Sequence, residues 1–480
     1  MGITPEGLWT GQPWLQFYWV ALFMKGFGDS IFFLRLPFGL AFLGSIVLTW
    51  TLGKRLGWGK MATTVSTFLV ATSVPLILAS RNVRYYSLLP FFSLALCNLY
   101  FDMKQGGVKR WVGFGLVSTL FIHTMQPVAA AVIGTIIIHA VLVERNKNLV
   151  LGLLKSQILM LALFLPWLFY VWPGLVQFYH QRASSTLGRN LTLGSLTFGI
   201  GYYLVTLIHG NFPLLLTPFI LRRPPHVNSN LDGKSALLFV MLILAICGMM
   251  SFIFNSNLYP GYVLAAIPFL LLLGTAVIFR VSRGNRYILL GLTLIFAFST
   301  ICNLPALPGR FFGDESGDSK GFRQTKILGN LFLNHPLELP LIYYFSELGN
   351  SYQGPVETLV KFLKVRAKPG DTYFASNDGH SIHFATGLKR IDEVPFPTAP
   401  DWIIQRGPYP LSRNICKVDG AIQNADEYIE KFISAHRYEA ISLDVVNIYH
   451  ENVPVMPFHN FIMPQSANPK DKLVVLHLAP

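Results

Sequence analysis

The amino-acid sequence predicts an α-helical polytopic membrane protein of about ten spans, followed by a C-terminal extracytoplasmic α/β domain. Hydrophobic residues make up 52% of the 480 residues and charged residues 13%, and the mean hydropathy is +0.46. Long apolar runs exclude a water-soluble surface in the first part of the chain. Beyond it the composition is mixed, as in a folded domain outside the bilayer. The predicted divisions are an outer loop with an interfacial helix at 1–34, a multi-span domain at 35–303 and a soluble domain at 304–480.

Ten apolar runs are predicted to be membrane-spanning helices, although several are shorter than the ~20 residues that a span usually needs. A short aromatic segment, residues 14–26, precedes them and is predicted to be a helix lying in the membrane interface. The alternative is that this segment begins an ordinary span. The ten runs are 35–53, 61–79, 85–101, 111–123, 126–143, 149–172, 196–220, 235–254, 258–279 and 287–303.

The basic residues predict which side of the membrane each loop occupies. Five loops rich in Lys and Arg alternate with loops that hold fewer, and the positive-inside rule places these five in the cytoplasm. Both ends of the chain then lie outside the cytoplasm. Orientation also explains the net charge of +14 better than a nucleic-acid partner does, because the cations are not gathered into one stripe. The five loops are 54–60, 104–110, 145–147, 222–234 and 280–286.

The last part of the chain is predicted to be the α/β domain. A polar segment rich in Gly and Ser, residues 313–321, forms a hinge that leads into it. Apolar spacing and turn signals then predict alternating helices and strands. The predicted helices are 355–366 and 426–436, and the predicted strands are 373–375, 438–445 and 472–478.

The sequence holds few signals for a cofactor or a metal. No Gly-rich phosphate loop, Cys-x-x-Cys pair or Gly-x-Ser-x-Gly elbow is present, so no nucleotide cofactor is predicted. Four cysteines, three of them in apolar runs, predict no disulfide. Asp378, His380 and His383 have a spacing that some metal sites use, but a polar loop is the better interpretation, so no metal ligand is assigned. A requirement for a divalent metal stays open.

The segment 80–88 places charge at a predicted outer membrane boundary. It holds the arginines Arg81 and Arg84 and the tyrosines Tyr85 and Tyr86 between apolar runs. An arginine at the bilayer centre costs roughly 2.5–3.5 kcal/mol, so such residues usually face a water-filled cavity or a bound anion. The alternative is that the arginines reach up to lipid headgroups and the tyrosines form an interfacial belt. The segment therefore predicts a site at the outer membrane surface.

Short motifs along the first half of the chain follow one another in an informative order. Pro13 stands before the predicted interfacial helix, and Gly-Asp-Ser at 28–30 is followed by Leu-Arg-Leu-Pro at 34–37. Residues 80–88 fit the pattern Ser-Arg-x-x-Arg-x-Tyr-x-Leu, and His123 ends a later helix. This order resembles the membrane glycosyltransferases of the GT-C superfamily, which include the protein mannosyltransferases and the aminoarabinose lipid A transferases.

The resemblance covers roughly residues 10–300 and implies sugar transfer on the extracytoplasmic face of a cell membrane. It implies a polyprenyl-phosphate sugar as donor, inversion at the anomeric carbon, and a lipid, glycan or protein as acceptor. A transporter or flippase of a lipid-linked glycan would also be polytopic, but no repeat between the two halves favours that alternative. A catalytically incomplete relative is the other alternative.

One departure from the family pattern concerns the catalytic carboxylate. The family's acidic residue stands about twenty residues before the proline, whereas twelve residues precede Pro13 here. We expect the first span and this carboxylate to lie upstream of Met1. Within the chain, Glu6 and Asp29 are the alternative carboxylates.

The family's chemistry implies roles for the remaining candidates. A carboxylate takes the acceptor's proton, while an arginine guanidinium stabilises the leaving phosphate with a fixed fork of donors. The resemblance implies that the arginines contact phosphate or support the acidic loop, and that the tyrosines contact sugar or lipid. His123 would bond the acceptor or the carboxylate, the alternative being an ordinary packing histidine. The candidate binding residues are Arg81, Arg84, Tyr85, Tyr86, His123, Tyr259 and Tyr262.

Overall fold

A computed structural model of the chain shows two compact units among the residues that it describes, one before residue 302 and one after residue 353. The predicted boundaries of the three divisions stay a prediction. The described residues are 3–4, 7–8, 14–28, 30–182, 192–211, 232–253, 260–282, 284–301, 354–376, 379–391, 395–405, 415–418, 421–447 and 472–479.

The first unit is built from helices that coincide with the predicted apolar runs. Each of the ten runs lies in helical structure over nearly all of its described part. Two short strands, β1 and β2, pair in antiparallel fashion before the first helix. The elements are β1 Ile3–Thr4, β2 Gly7–Leu8, α1 Leu15–Phe27, α2 Ile31–Arg55, α3 Lys60–Ala71, α4 Val74–Arg81, a 3-10 turn Tyr85–Ser87, α5 Leu88–Met103, α6 Val108–Ile122, α7 Gln126–His139, a π turn Ala140–Glu144, α8 Lys147–Arg182, α9 Leu193–Asn211, α10 Gly233–Ile253, a 3-10 helix Pro260–Ala266, α11 Ile267–Ser282 and α12 Arg286–Ile301.

The number of membrane spans is lower than predicted when length is taken into account. Five helices are long and apolar enough to cross a membrane, and a sixth span results if the bent pair α3 and α4 counts as one. α5 has 16 residues and α6 has 15. At 1.5 Å per residue these helices reach roughly 24 and 22 Å, less than the ~30 Å hydrocarbon core. By this criterion the described residues hold five or six spans, not ten, and the multi-pass helical class is confirmed.

The predicted run 61–79 forms two helices, not one. α3 ends at Ala71 and α4 begins at Val74, with a bend of 49° between them. Pro75, in the first turn of α4, explains the break. Proline lacks an N–H donor, and in a continuous helix its ring clashes with the carbonyl group four residues earlier. The break therefore falls where the backbone cannot continue, although the apolar pattern does.

α1 is a separate short helix before α2. The chain turns at Gly28, whose φ of +93° suits glycine. Ser30 then caps α2 by accepting a hydrogen bond from the Phe33 N–H at 3.5 Å. With 13 residues, α1 is too short to cross a bilayer. The alternative that this segment begins an ordinary span is therefore wrong, whereas its position in the interface stays a prediction.

A buried polar cluster around Asn98 joins α5 to α2. Asn98 Oδ1 accepts hydrogen bonds from Thr51 Oγ1 at 2.9 Å and from the Arg55 guanidinium at 2.6 Å. Its amide nitrogen donates to the carbonyl oxygens of Leu48 and Leu94, at 3.0 and 2.9 Å. The side chain is buried with its donors and acceptors used, which makes a polar residue tolerable between two apolar helices.

We expect Asn98→Leu to lower the free energy of unfolding by about 1–2 kcal/mol. The substitution removes an acceptor from Thr51 and from Arg55. The loss is limited, because Thr51 also donates to the Leu48 carbonyl at 2.9 Å and Arg55 keeps its ion pair with Asp102 at 2.6 Å. Equilibrium unfolding in mixed micelles measures the difference.

Thr49→Val is the matched control for this substitution. It also replaces a buried polar side chain of the cluster's first helix, but the Thr49 hydroxyl bonds within α2, to the Ser45 carbonyl at 2.8 Å. It should therefore cost less than Asn98→Leu. If the two variants lose the same free energy of unfolding, the hydrogen bonds from Asn98 to α2 add nothing to stability.

A second buried polar chain joins α5, α7 and α10 through His139. The Tyr100 hydroxyl lies 2.8 Å from His139 Nδ1, and His139 Nε2 lies 2.9 Å from the Lys234 carbonyl oxygen. A carbonyl oxygen can only accept, so Nε2 carries the proton and Nδ1 accepts from the Tyr100 hydroxyl. The neutral ring is thus satisfied at both nitrogens, with His139 and Tyr100 fully buried.

Charged residues surround the same end of these helices. The Glu144 carboxylate lies 2.7 Å from Lys104 Nζ and 3.7 Å from Lys234 Nζ. Burial by itself would raise the pKa of Asp232, but hydrogen bonds from Ser235 and the two lysines together hold this pKa below its usual range. The lysines belong to loops predicted to be cytoplasmic, so this end of the bundle is expected to face the cytoplasm.

The second unit is a small α/β domain, as predicted. Its sheet has five strands in the order β4-β3-β5-β9-β8 and is mixed, since β3 is parallel to β4 and β5 while β9 is antiparallel to β5 and β8. β6 and β7 form a separate hairpin. The elements are α13 Pro355–Arg366, β3 Thr372–Ala375, α14 Gly379–Thr386, β4 Lys389–Arg390, β5 Trp402–Ile404, β6 Ile415–Val418, β7 Ala421–Asn424, α15 Ala425–Ala435, β8 Tyr438–Val446 and β9 Lys472–Leu478.

Two hydrophobic clusters form the core of this domain, one between the sheet and α13 and the other between the sheet and α15. Leu359 and Leu363, on one face of α13, belong to a cluster with Tyr373, Trp402 and Val475 from three strands. α13 begins with proline at its first position and ends with basic residues, which suits the direction of the helix dipole. The two helices and three strands predicted from the sequence are confirmed, while the side of the membrane on which the domain lies stays a prediction.

Candidate functional site

The end of α4 and the turn after it carry four of the seven predicted binding residues, Arg81, Arg84, Tyr85 and Tyr86. Arg84 is extended, with φ −144° and ψ 159°, and the 3-10 turn follows it directly. The Arg84 guanidinium donates to the Tyr86 hydroxyl at 3.1 Å, and its Cζ lies 5.8 Å from the centre of the Tyr86 ring. Arg84 is exposed and Arg81, the last residue of α4, is half-buried. The turn therefore leaves Arg84 exposed as a residue and holds its guanidinium against a tyrosine.

The two tyrosines of the turn are buried. Tyr85 is 6% exposed and Tyr86 is 3% exposed, and their rings meet edge to face with centroids 4.9 Å apart. Buried rings do not form an exposed interfacial belt, so that alternative is wrong for these two residues. In this structure Tyr86 supports Arg84. Direct contact of either tyrosine with sugar or lipid stays a prediction.

The first turn of α1 connects the arginine turn to the predicted histidine. The Gln16 side-chain oxygen accepts a hydrogen bond from the Tyr85 N–H at 3.1 Å. Next to it, the Leu15 N–H donates to the His123 carbonyl oxygen, also at 3.1 Å. Two neighbouring residues of α1 thus bring the turn and the end of α6 together. Gln16 is not among the residues predicted from the sequence, although a glutamine among aromatic residues is a visible signal.

Aromatic side chains of α8 pack against His123, and Trp14, the residue before α1, packs against one of them. The His123 ring lies 5.1 Å from the Trp167 ring and 5.4 Å from the Phe164 ring. Trp14 in turn contacts Trp167 at 5.8 Å and Tyr170 at 6.1 Å. His123 is half-buried in this cluster, so its ring packs against aromatic side chains while its carbonyl group binds α1. The contribution of α8 was not predicted, because its aromatic residues lie within a long apolar run.

Of the remaining candidates, the structure describes Tyr262 only. Tyr262 belongs to the 3-10 helix Pro260–Ala266, is half-buried, and packs against the core of the first unit. That helix contacts the turn formed by Tyr85–Ser87. Tyr259 and both candidate carboxylates, Glu6 and Asp29, lie outside the described residues. The site as described therefore provides cations and aromatic rings, while the general base has no assigned position.

Both histidines of the Asp-x-His-x-x-His motif lie in a helix. Residues 379–386 form α14, whose Ile382 is buried in the domain core, so the predicted polar loop is wrong here. His383 Nδ1 lies 2.7 Å from the Leu388 carbonyl oxygen, a bond that fixes the ring against the end of the helix. Asp378 and the side chain of His380 are not described. In the described part of the chain, no three His, Cys, Asp or Glu residues form a metal-binding group.

The described helices make this chain a multi-pass helical membrane protein, and its fold is similar to that of the membrane protein ArnT. The crystal structure of ArnT from Cupriavidus metallidurans bound to undecaprenyl phosphate matches it with a TM-score of 0.56 and 15% identity, over 98% of this chain and 88% of that one. The apo structure of the same protein matches with a TM-score of 0.55 and 14% identity, over 97% and 87%. At this identity the likeness shows the fold.

A sequence comparison agrees with the fold. The undecaprenyl phosphate-alpha-4-amino-4-deoxy-L-arabinose arabinosyl transferase 1 of Pseudomonas fluorescens is 25% identical over 316 residues, which cover 62% of this chain and 53% of that protein. The chain thus spans about half the length of this curated relative. No protein-family model matches the chain. The predicted resemblance to the aminoarabinose transferases is confirmed in sequence and in fold.

Proposed function

We propose that the chain transfers a sugar from an undecaprenyl-phosphate donor to a membrane lipid on the extracytoplasmic face, with inversion at the anomeric carbon. The observation that carries the proposal is Arg84, an exposed residue whose guanidinium is held by Tyr86 in a turn that α1 links to the end of α6 at His123. The similarity in sequence to an undecaprenyl-phosphate sugar transferase supports this choice of donor. A glycan or a protein remains an alternative acceptor.

The chemistry of this transfer needs a cation where the phosphate leaves. An oxygen of the acceptor attacks the anomeric carbon from the face opposite the phosphate, and the bond from that carbon to the phosphate oxygen breaks. The polyprenyl phosphate departs with the bonding electrons, while a carboxylate takes the acceptor's proton. The guanidinium of Arg84 pairs with phosphate oxygens and strengthens this contact as their charge grows, and Arg81 adds positive charge nearby.

The test is sugar transfer in membranes. Synthetic undecaprenyl-phosphate sugars, including 4-amino-4-deoxy-L-arabinose, are supplied together with an outer-membrane glycolipid, and the product is identified by mass spectrometry and its anomeric configuration by NMR. The chain starting at Met1 and the reading frame extended upstream of Met1 are compared. We expect an inverted product from at least one form. No product from either form, with any donor, would exclude the transferase.

The bent helix pair α3 and α4 is the observation that favours a flippase as the second candidate function. Interrupted spans such as α3 and α4, which are bent by 49°, are typical of transporters that bind their substrate near the midplane. Liposomes containing the protein and a fluorescent lipid-linked glycan separate the two candidates. Movement of the glycan between leaflets without sugar transfer would favour the flippase, and transfer without movement would favour the enzyme.

A further inference from the structure

The burial pattern of α1 is the reverse of what its composition leads one to expect. The helix is aromatic and apolar. Of its described side chains, however, the buried one is Gln16, which is 5% exposed. Tyr18, Trp19 and Leu22 are 59%, 37% and 64% exposed. Burying an amide is unfavourable unless it is hydrogen-bonded. A glutamine at the one well-buried position therefore indicates a specific polar contact.

That contact is made to the arginine turn. Gln16 Oε1 accepts from the Tyr85 N–H at 3.1 Å, across 69 residues of sequence. Tyr85 is the first residue of the 3-10 turn, and the first N–H groups of such a turn have no partner inside it. Gln16 supplies the missing acceptor from another helix. It thereby fixes the backbone one residue after Arg84.

The neighbouring residue ties α1 down on the other side. The Leu15 N–H donates to the His123 carbonyl oxygen at 3.1 Å, and Trp14 packs against Trp167 beside the same histidine. α1 is therefore anchored at the end of α6 independently of its contact with the arginine turn. A rotation or slip of α1 would move the two contacts together, so the helix sets the spacing between the turn and His123.

We propose that Gln16 is a positioning residue, which holds the Arg84 guanidinium where the phosphate of a polyprenyl-phosphate ligand binds. The assignment rests on the proposed function for the identity of the ligand. Gln16 acts through the Tyr85 backbone and not by touching the phosphate. Without its acceptor, the turn after Arg84 loses its fixed position, and the guanidinium no longer presents its fork of donors in one orientation.

The experiment compares Gln16→Met with the wild type, because methionine has a similar length and shape and no strong acceptor. Hydrogen exchange of the segment 80–88 and the affinity for undecaprenyl phosphate are measured in nanodiscs. We expect exchange at the Tyr85 amide to become about tenfold faster and the Kd for undecaprenyl phosphate to rise about tenfold, the loss typical of one buried hydrogen bond. Gln157→Met is the control, since Gln157 in α8 bonds to its neighbour Ser156 at 3.4 Å, and it should change neither quantity.

A double-mutant cycle with Arg84→Ala distinguishes positioning from general support. If Gln16 acts through Arg84, then Gln16→Met should raise the Kd for undecaprenyl phosphate little further once Arg84 is replaced. Additive effects on Kd, or an unchanged exchange rate at the Tyr85 amide, would overturn the proposal. If the wild type binds undecaprenyl phosphate but neither it nor the upstream-extended form transfers sugar, the proposed function fails, and the assignment of Gln16 is then decided by the double-mutant cycle on Kd alone. If the wild type does not bind it, both fail.

Discussion

Replacing Arg84 by alanine is expected to lower kcat/KM for the undecaprenyl-phosphate donor about a hundredfold. A hydrogen bond to a charged group contributes about 1.5–3 kcal/mol, and each 1.4 kcal/mol corresponds to a factor of ten. The effect falls at the upper end of this range if the guanidinium pairs with the phosphate more strongly in the transition state than in the ground state, as charge grows on the leaving oxygens. Initial rates at varied donor concentration measure it.

The form of the loss distinguishes transition-state stabilisation from simple binding. A lower kcat with little change in KM indicates a contact that strengthens in the transition state, whereas a raised KM at constant kcat indicates uniform binding of the donor. Arg84→Lys keeps the positive charge but loses the planar fork of donors, so we expect it to recover about a tenth of wild-type activity.

The control for Arg84 is an exposed arginine at a different place in the bundle. Arg286, the first residue of α12, is also exposed, and Arg286→Ala should leave kcat/KM within about twofold of wild type, as surface changes usually do. Thermal unfolding of Arg84→Ala must be measured in parallel, because the substitution also removes the bond to Tyr86 at 3.1 Å. If the Arg84→Ala protein is folded and has wild-type kcat/KM, Arg84 does not contribute to binding the donor or to the transfer.

The sequence identified the arginine turn but not what holds it. Arg84 and Tyr86 are close in sequence and carry a recognisable pattern, so local reasoning was enough to select them. Gln16 contacts Tyr85 across 69 residues, and no periodicity within α1 encodes a partner that far away. The available signal was chemical, namely a polar side chain in an aromatic helix, and it becomes informative once burial is known.

The helices are predictable from the sequence where the length of an apolar run and the backbone preferences of its residues indicate the same element. The helices follow the apolar runs, yet Pro75 divides one run into α3 and α4, and proline chemistry should have been given more weight than hydropathy there. In the second unit, the Asp-x-His-x-x-His motif at 378–383 predicts a polar loop, whereas residues 379–386 form α14. Ile382 provides the buried contact of α14, and a single apolar anchor is too weak a pattern to predict a helix from the sequence.

Three buried polar residues in the bundle share one feature: each joins elements that are distant in sequence. Asn98 ties α5 to α2, and Gln16 ties α1 to the arginine turn. His139 ties α7 to both α5 and α10. In a bundle surrounded by lipid, apolar contacts between helices differ little from contacts with lipid, so packing and hydrogen bonds between helices carry more of the specificity. These three side chains are therefore expected to fix how the helices are arranged.

His139→Phe is expected to lower the free energy of unfolding by about 2–3 kcal/mol, the largest loss that we expect from these three positions. The ring shape is roughly kept, so the main cost is the Tyr100 hydroxyl, which is fully buried and has no other hydrogen-bond partner among the described residues. An unsatisfied buried hydroxyl costs about 1–3 kcal/mol, and the lost bond to the Lys234 carbonyl adds to it. Thr135→Val, one turn earlier in α7, is the control, since that hydroxyl bonds within its own helix at 2.7 Å.

The double variant Tyr100→Phe with His139→Phe separates this cause from poor packing of the larger ring. If the orphaned hydroxyl is the main cost, removing it should recover at least 1 kcal/mol, because replacing both partners of a hydrogen bond by apolar groups is close to neutral. The double variant should then be more stable than His139→Phe, and unfolding in mixed micelles compares the two directly. If it is less stable, the loss comes from overpacking between α5 and α7, and the chain from Tyr100 through His139 to Lys234 does not hold the three helices together.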